Sequence, residues 1–181
     1  IKQKEILKHG QTIACLKENI YKTNTGGMIY YSTESPNNKK KRNTKKIFKG
    51  FLYWIPEETH QLKSLDLENL KIKDGSFVKK GTTLLPNITS KIDGFIQVDE
   101  YDSELIIKPG ELYQLNRLKD YKSLAYKSNR FIGPGEFIFS NVLVQKLSYL
   151  EFLNFQGVEY ALLRPVLIYK VPQEKGFFIK Y

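Results

Sequence analysis

The sequence predicts an all-β fold. Val, Ile, Tyr, Phe and Thr dominate its short apolar runs, and Gly, Pro, Asn and Asp separate the runs. Residues 61–70 and 111–122 are the stretches that could hold short helices, but neither carries a strong apolar stripe at helical spacing. The strand candidates, in chain order, are residues 28–32, 51–55, 95–98, 104–107, 137–139, 142–145, 148–152, 159–163 and 166–171.

The first two candidates are aromatic. Residues 28–32 read Met-Ile-Tyr-Tyr-Ser, and residues 51–55 read Phe-Leu-Tyr-Trp-Ile. Four aromatic residues, Phe51, Tyr53, Trp54 and Phe95, could also line a ligand cage. Their strand-like spacing favours core residues over the walls of such a cage.

Composition limits the class of protein. At 181 residues, with 41% hydrophobic and 13% aromatic residues, the chain can bury a core as one domain or two small ones. The single Cys15 excludes an intrachain disulfide framework and a cysteine-based zinc cluster, which favours a reducing compartment. No apolar run approaches the length of a membrane span. Both ends read as cut, and we expect a piece of a longer polypeptide.

Positive charge is concentrated in one segment. The net charge is +10, and seven of the eleven residues 39–49 are basic while none is acidic. Three interpretations stay open: a solvated loop, contact with an acidic protein surface, or sequence-independent phosphate contact. The candidate contact residues are Lys39, Lys40, Lys41, Arg42, Lys45 and Lys46. No aromatic residue interleaves these six, so base stacking is not predicted.

A short phrase with a turn glycine recurs along the chain. It appears around Gly10, Gly75, Gly110 and Gly135, each time with an apolar residue shortly after the glycine. A glycine at positive φ followed by a re-entering strand explains the pattern physically. The phrasing resembles sandwich-barrel hybrid (hammerhead-like) modules joined by short helical or irregular connections. A plain β-sandwich is the alternative, because glycine turns between strands occur in many β proteins. The predicted domains are residues 1–60 with the basic loop 36–50, a central module 61–115, and a C-terminal module 116–181.

Longer motifs resemble the β″-subunit family of plastid and cyanobacterial RNA polymerases, the C-terminal part of the split largest subunit. The matching residues are Ile29-Tyr30-Tyr31-Ser32-Thr33, Lys40-Lys41-Arg42-Asn43-Thr44, Leu52-Tyr53-Trp54-Ile55-Pro56-Glu57-Glu58-Thr59-His60, Lys73-Asp74-Gly75, Phe77-Val78-Lys79-Lys80-Gly81-Thr82, Ile106-Ile107-Lys108-Pro109-Gly110-Glu111-Leu112, Pro134-Gly135-Glu136, Tyr149, Glu151 and Leu163-Arg164-Pro165-Val166. They cover nearly the whole chain in order, and the lysine-rich loop is of the plastid type.

The resemblance implies a role and a set of partners. It places the chain in the insertion that interrupts the trigger loop of a DNA-directed RNA polymerase, in the plastid. The implied partners are the α, β and β′ core subunits, a sigma factor, plastid polymerase-associated proteins and, through the complex, DNA and RNA, with no membrane. The whole enzyme implies Mg²⁺ and a structural Zn²⁺ held elsewhere, with no cofactor in this segment.

Catalytic and metal-binding patterns are absent from the sequence. Nucleotide addition needs clustered aspartates around two metal ions, whereas the aspartates here are scattered singly, so no catalytic and no metal-ligating residue is predicted. Glu57 and His60 would share a face of a helix as half of a di-metal site. We favour a turn with one satisfied surface histidine.

A second class of function is a free-standing biotinyl or lipoyl-like carrier, suggested by the glycine-turn phrasing alone. Its modified residue would be Lys91, in the sequence Ser90-Lys91-Ile92-Asp93-Gly94. This lysine lacks the Met-Lys-Met or Asp-Lys-Ala context of carriers, and an exposed strand lysine is the favoured interpretation.

Overall fold

The computed structural model describes residues 2–7, 12–16, 19–32, 50–63, 70, 72–99, 101–117, 128–139 and 142–170. Strands dominate these residues, and the 3₁₀ turn Leu115–Arg117 is the helical element among them, which confirms the all-β prediction. The strands are β1 Lys2–Leu7, β2 Thr12–Leu16, β3 Asn19–Lys22, β4 Gly26–Ser32, β5 Phe51–Gln61, β6 Phe77–Val78, β7 Thr83–Leu85, β8 Ile88–Thr89, β9 Gly94–Asp99, β10 Glu104–Lys108, β11 Glu111–Gln114, β12 Arg130–Ile132, β13 Phe137–Ile138, β14 Val142–Leu143, β15 Ser148–Phe155, β16 Val158–Pro165 and β17 Leu167–Lys170.

The chain divides into two compact units, and the first comprises residues 1–57 with 167–181. In this unit β4 pairs antiparallel with β1 on one side and with β5 on the other, and β17 pairs with β5. Both aromatic strand predictions are confirmed. Tyr53 and Trp54 are buried as expected, whereas Phe51 and Phe95 are only partly buried, Phe51 because it begins its strand and Phe95 because it packs on the exposed Phe77. The second strand continues past Ile55 to Gln61, because Pro56 and Glu57 still pair with β4 and residues 58–61 pair with β10. The pairing with β17 ends at Trp54, so Pro56 need not donate a hydrogen bond to that strand.

The second unit comprises residues 58–166 and contains two four-stranded antiparallel sheets, each beside a short hairpin. In residues 58–109, which we call repeat A, the order is the end of β5, then β10, β9 and β6. In residues 110–165, repeat B, the order is β11, β16, β15 and β12. The core of the first sheet consists of Leu62, Val78, Leu84, Leu85, Ile96, Leu105 and Ile107. The core of the second consists of Leu115, Ile132, Ile138, Val144, Leu150 and Ala161.

The two repeats have the same register. Val78 pairs with Gly94 in repeat A, and Ile132 pairs with Ser148 in repeat B. Each residue of the second pair lies 54 positions after its counterpart in the first, since 132 − 78 and 148 − 94 are equal. An edge-to-face aromatic pair recurs at the adjacent position. Its ring centroids are 5.1 Å apart in repeat A (Phe77 with Phe95) and 5.3 Å apart in repeat B (Phe131 with Tyr149).

One glycine turn has the same hydrogen bonds in both repeats. Gly81 N–H donates to Ser90 C=O at 2.7 Å, and Gly135 N–H donates to Val144 C=O at 2.8 Å. The carbonyl of the next residue in each turn accepts a hydrogen bond from the N–H of that same partner residue, Ser90 or Val144, at 2.9 Å in both cases. Gly81 has a φ of 90° and Gly135 a φ of 84°, in the left-handed region that glycine enters without a steric penalty. Gly81, rather than Gly75, is therefore the counterpart of Gly135.

The first strand of each repeat carries the sequence Pro-x-Glu-x-x-Gln-Leu, at residues 56–62 and 109–115. In repeat A the carboxylate of Glu58 hydrogen-bonds the side chain of His60 at 2.6 Å. In repeat B Glu111 accepts a hydrogen bond from the Tyr113 hydroxyl at 2.5 Å. The closing leucine is buried in both copies. Residues two positions apart on a strand lie on the same face, so the same hydrogen-bonded glutamate arrangement occurs in both repeats.

Most strand predictions are confirmed within a few residues, and the helix prediction at 111–122 is wrong where the structure describes it. Residues 111–114 form β11 because all four pair with residues of β16. This contact is long-range, and local periodicity does not predict it. Of residues 61–70, Gln61 ends β5, and most of the rest lie outside the described residues. The predicted domain boundaries and the hybrid-module type stay predictions.

Replacing Gly110 by alanine is expected to lower the free energy of unfolding by several kcal/mol (roughly 3 or more). Its φ is +151°, and an added Cβ would lie 2.6 Å from the Leu163 carbonyl oxygen, which is held in β16. Gly157→Ala is the matched control, because its φ of +82° is also unfavourable but nothing lies within 4 Å of the new Cβ. Its loss is expected to be about 1 kcal/mol. Urea unfolding followed by circular dichroism measures both, and equal losses would contradict the clash.

Candidate functional site

The basic residues Lys39, Lys40, Lys41, Arg42, Lys45 and Lys46 lie outside the described residues. Their contact with phosphate or with an acidic protein surface stays a prediction.

A buried carboxylate between two cations is the most strongly charged feature of the described residues. Glu151 Oε1 accepts a hydrogen bond from Lys108 Nζ at 2.6 Å, and its Oε2 accepts one from Arg164 Nη1 at 2.8 Å. All three side chains are buried, and Arg164 is fully enclosed. Both carboxylate oxygens are occupied, so this cluster offers no free group for proton transfer or for binding a metal ion.

The two cations hold the carboxylate in its charged form. Burial by itself raises the pKa of Glu151, and the charges and hydrogen bonds of Lys108 and Arg164 outweigh it, so the pKa lies below its ordinary value of 4.5. A buried ion pair is retained only where its geometry is good, and here each oxygen has its own donor.

The fold places the two cations at equivalent positions. Lys108 ends β10 opposite Phe95, and Arg164 precedes the end of β16 opposite Tyr149. A proline follows each of them. Arg164 reaches Glu151 from the neighbouring strand of its own sheet, whereas Lys108 reaches it from repeat A. The cluster therefore ties the two repeats together, and its role is structural positioning.

The Glu57–His60 segment is strand, so the predicted turn is wrong. An odd spacing on a strand places Glu57 and His60 on opposite faces, which removes the basis for a di-metal half-site. His60 is satisfied, as predicted, by Glu58. The other oxygen of Glu58 accepts the backbone N–H groups of Lys91 and Ile92 at 2.7 and 3.2 Å. Glu58 thus fixes the chain that precedes β9.

An apolar pair stands exposed on the hairpin of repeat B. Phe137 and Leu143 face each other across β13 and β14, and they are 65% and 50% exposed. The corresponding pair of repeat A, opposite each other across β7 and β8, is Thr83 with Thr89, both exposed. The fold accommodates threonine at these positions, so the apolar residues are not a requirement of packing.

Other predicted features can be located in the described residues. Lys91 is exposed, as expected, but it lies in a bend between β8 and β9 rather than in a strand or at the tip of a hairpin.

No group of three or more His, Cys, Asp or Glu residues with metal-binding geometry occurs among the residues that the structure describes. No helix there has the length and apolar character needed to cross a bilayer.

Comparison with known proteins gives the decisive observation. The chain is 43% identical over 173 residues to "DNA-directed RNA polymerase subunit beta''" of Emiliania huxleyi, and 35% identical over 181 residues to the protein of that name from Porphyra purpurea. It is 36% identical over 174 residues to that of Cyanophora paradoxa. These alignments cover 94%, 96% and 93% of the chain. The chain is homologous to a segment of RNA polymerase subunit β″.

This confirms the family resemblance predicted from the sequence. The chain spans about 14% of the length of the curated relatives it matches (13% for Cyanophora). The relatives' β″ subunits are plastid proteins, which agrees with the predicted plastid location. No protein-family model matches the chain.

The buried cluster was not predicted from the sequence. Lys108, Glu151 and Arg164 lie in the motifs that match the family, but their side chains were not expected to pair. The available signal was the pair of basic residues before a proline, at positions 108 and 164, each closing an apolar strand. A cation at the end of a buried strand needs a counter-ion.

Glu151→Gln is expected to lower the free energy of unfolding by about 3–5 kcal/mol, because it leaves two buried cations without a counter-charge. Asp102→Asn, which removes an exposed carboxylate, is the matched control and is expected to change stability by less than about 0.5 kcal/mol. Urea unfolding at neutral pH followed by circular dichroism compares them. Similar losses in the two variants would contradict the structural role of the cluster.

The stabilisation by Glu151 is expected to depend on pH. Because its pKa is lowered in the folded state, its contribution is fully present above the ordinary value of 4.5 and is lost as the pH falls through the folded pKa. The difference in unfolding free energy between the wild type and Glu151→Gln should therefore shrink below pH 4.5. A difference that stays constant down to acid unfolding would show that folding does not lower the pKa of Glu151.

Proposed function

We propose that the chain is a non-catalytic module of the β″ subunit of plastid DNA-directed RNA polymerase, the complex that transcribes DNA into RNA from ribonucleoside triphosphates. The observation that carries the proposal is the alignment of nearly the whole chain with subunits of that name. The partners that follow are the α, β and β′ core subunits.

The chemistry of the described residues supports a non-catalytic role. Phosphoryl transfer by a two-metal mechanism needs carboxylates free to coordinate Mg²⁺. The described residues include three buried carboxylates, and all three are engaged. Glu151 is held by cations, Glu58 by His60 and backbone N–H groups, and Glu57 also makes a polar interaction. The metal ions of the polymerase are then held by other parts of the enzyme.

The module is proposed to belong to the insertion in the trigger loop and to follow the movement of that loop. A module that transmits movement has to be rigid, so its two repeats must keep their relative position. The buried cluster that joins repeat A to repeat B supports such stiffness in residues 58–166. Sigma factor and polymerase-associated proteins are proposed to contact its exposed surfaces, and the basic residues between 39 and 46 are one proposed contact for sigma or DNA.

Affinity purification tests the proposal. A tag on β″ in plastids should recover this segment together with α, β and β′. Polymerase from which residues 58–166 are deleted should retain RNA synthesis on a nicked or tailed template, with a changed rate of elongation or pausing. The control deletes a surface region of comparable length in another subunit. Recovery of the segment free of core subunits, or complete loss of RNA synthesis by an assembled deletion enzyme, would contradict the proposal.

A further inference from the structure

Three lysines surround the glycine turn of repeat A. Lys79 and Lys80 precede Gly81 in the turn, and Lys91 follows Ser90, the residue whose backbone bonds Gly81 and Thr82. All three lysine side chains are exposed. The backbone ladder at Gly81 and Ser90 therefore brings together lysines that are separated along the chain.

The same turn in repeat B carries no charge at these positions. The counterparts of Lys79, Lys80 and Lys91, at the common offset of 54 residues fixed by the two registers, are Gly133, Pro134 and Gln145. The turn keeps its hydrogen bonds in both repeats. The lysines are consequently not needed to form the turn, and their presence in repeat A calls for another reason.

The lysines are not neutralised within the described residues. None of them makes an ion pair with a described side chain. The carboxylates in contact with this region are Asp93, whose Oδ1 accepts the Lys80 N–H at 2.7 Å, and buried Glu58, which accepts the Lys91 N–H. Three exposed cations thus stand beside one exposed carboxylate.

The backbone hydrogen bonds of the turn restrict the kind of ligand that it can bind. The N–H groups of Lys80, Gly81 and Thr82 all have acceptors within the protein, at 2.7–3.0 Å. A site for a single small anion is typically lined by free backbone N–H groups, and this turn offers none of these three. Binding must therefore come from the side-chain ammonium groups, which suit a ligand with several spaced negative charges.

A polyanion fits better than a protein surface. Protein interfaces are depleted of lysine and rely on an apolar core. The exposed residues around the turn and on the hairpin that follows it are polar or small, among them Thr83, Asn87 and Thr89. Phe77, half exposed nearby, packs edge-to-face on Phe95. Phosphate contacts need charge alone and carry no sequence information.

We propose that the basic turn formed by Lys79, Lys80 and Lys91 contacts the phosphate backbone of nucleic acid, without reading its sequence. The inference rests on the proposed function, since the polymerase brings nucleic acid to this module. The site is distinct in sequence from the basic residues 39–49.

The test uses assembled polymerase carrying Lys79→Gln, Lys80→Gln and Lys91→Gln together. Its affinity for a fluorescent promoter-free DNA duplex is measured across a series of potassium chloride concentrations. Each lost phosphate contact lowers the steepness of log K against log [salt] by about 0.9, so a decrease of about 2–3 is expected, with weaker binding at low salt. The matched control, Arg130→Gln with Lys146→Gln and Lys170→Gln, removes the same charge from other exposed positions.

An unchanged slope, or an equal decrease in the control variant, would overturn the proposal. A photo-crosslinking residue at position 80 gives an independent readout: crosslinks to DNA or RNA support it, and crosslinks to protein alone overturn it in favour of an acidic protein partner. Co-purification with α, β and β′ is measured first. Its failure would overturn the proposed function and this inference with it, whereas an assembled enzyme with an unchanged slope would overturn this inference alone.

Discussion

One buried carboxylate joins repeat A to repeat B through a pair of cations. Glu151 lies buried between Lys108 from the first repeat and Arg164 from the second, with a separate oxygen for each. Such clusters contribute little net stability compared with apolar packing of the same volume, because three charges must leave water. Sliding one repeat against the other would separate Lys108 from Glu151 and leave buried charges without their partners, which is costly.

The two repeats share the same arrangement of strands and turns but carry different exposed residues. The registers, the edge-to-face aromatic pair and the glycine turn are common to both repeats. The exposed hairpin positions differ, with Thr83 and Thr89 in one repeat and Phe137 and Leu143 in the other. Buried positions are constrained by packing density, whereas exposed positions on a rigid frame are free to acquire contacts. The difference between the repeats therefore separates residues that maintain the fold from residues available for binding.

The sequence was sufficient to predict the fold class and most strands, because alternation and turn residues are local signals. It was insufficient for β11, which exists through its pairing with β16. The recurring glycine phrase also led to the wrong correspondence between the repeats. It aligns Gly75 with Gly135, whereas the hydrogen bonds match Gly81 with Gly135. The recurrence of Pro-x-Glu-x-x-Gln-Leu at 56 and 109 comes within one residue of the structural offset of 54. The prolines after Lys108 and Arg164 point to two cations at equivalent strand ends, but nothing local relates residue 108 to its counter-ion at residue 151.

Two of the buried carboxylates also connect the basic turn to the rest of the second unit. Glu58 pairs with Ile107 in the sheet, and its carboxylate holds the N–H groups of Lys91 and Ile92. Ile107 is followed directly by Lys108, which Glu151 holds from repeat B. Strand β10 is thus fixed at one residue by the second repeat and at the adjacent residue by the strand that positions Lys91. A displacement of repeat B would pull on Lys108, and β10 is one strand through which that strain can pass to Glu58 and Lys91, because close-packed interiors transmit strain.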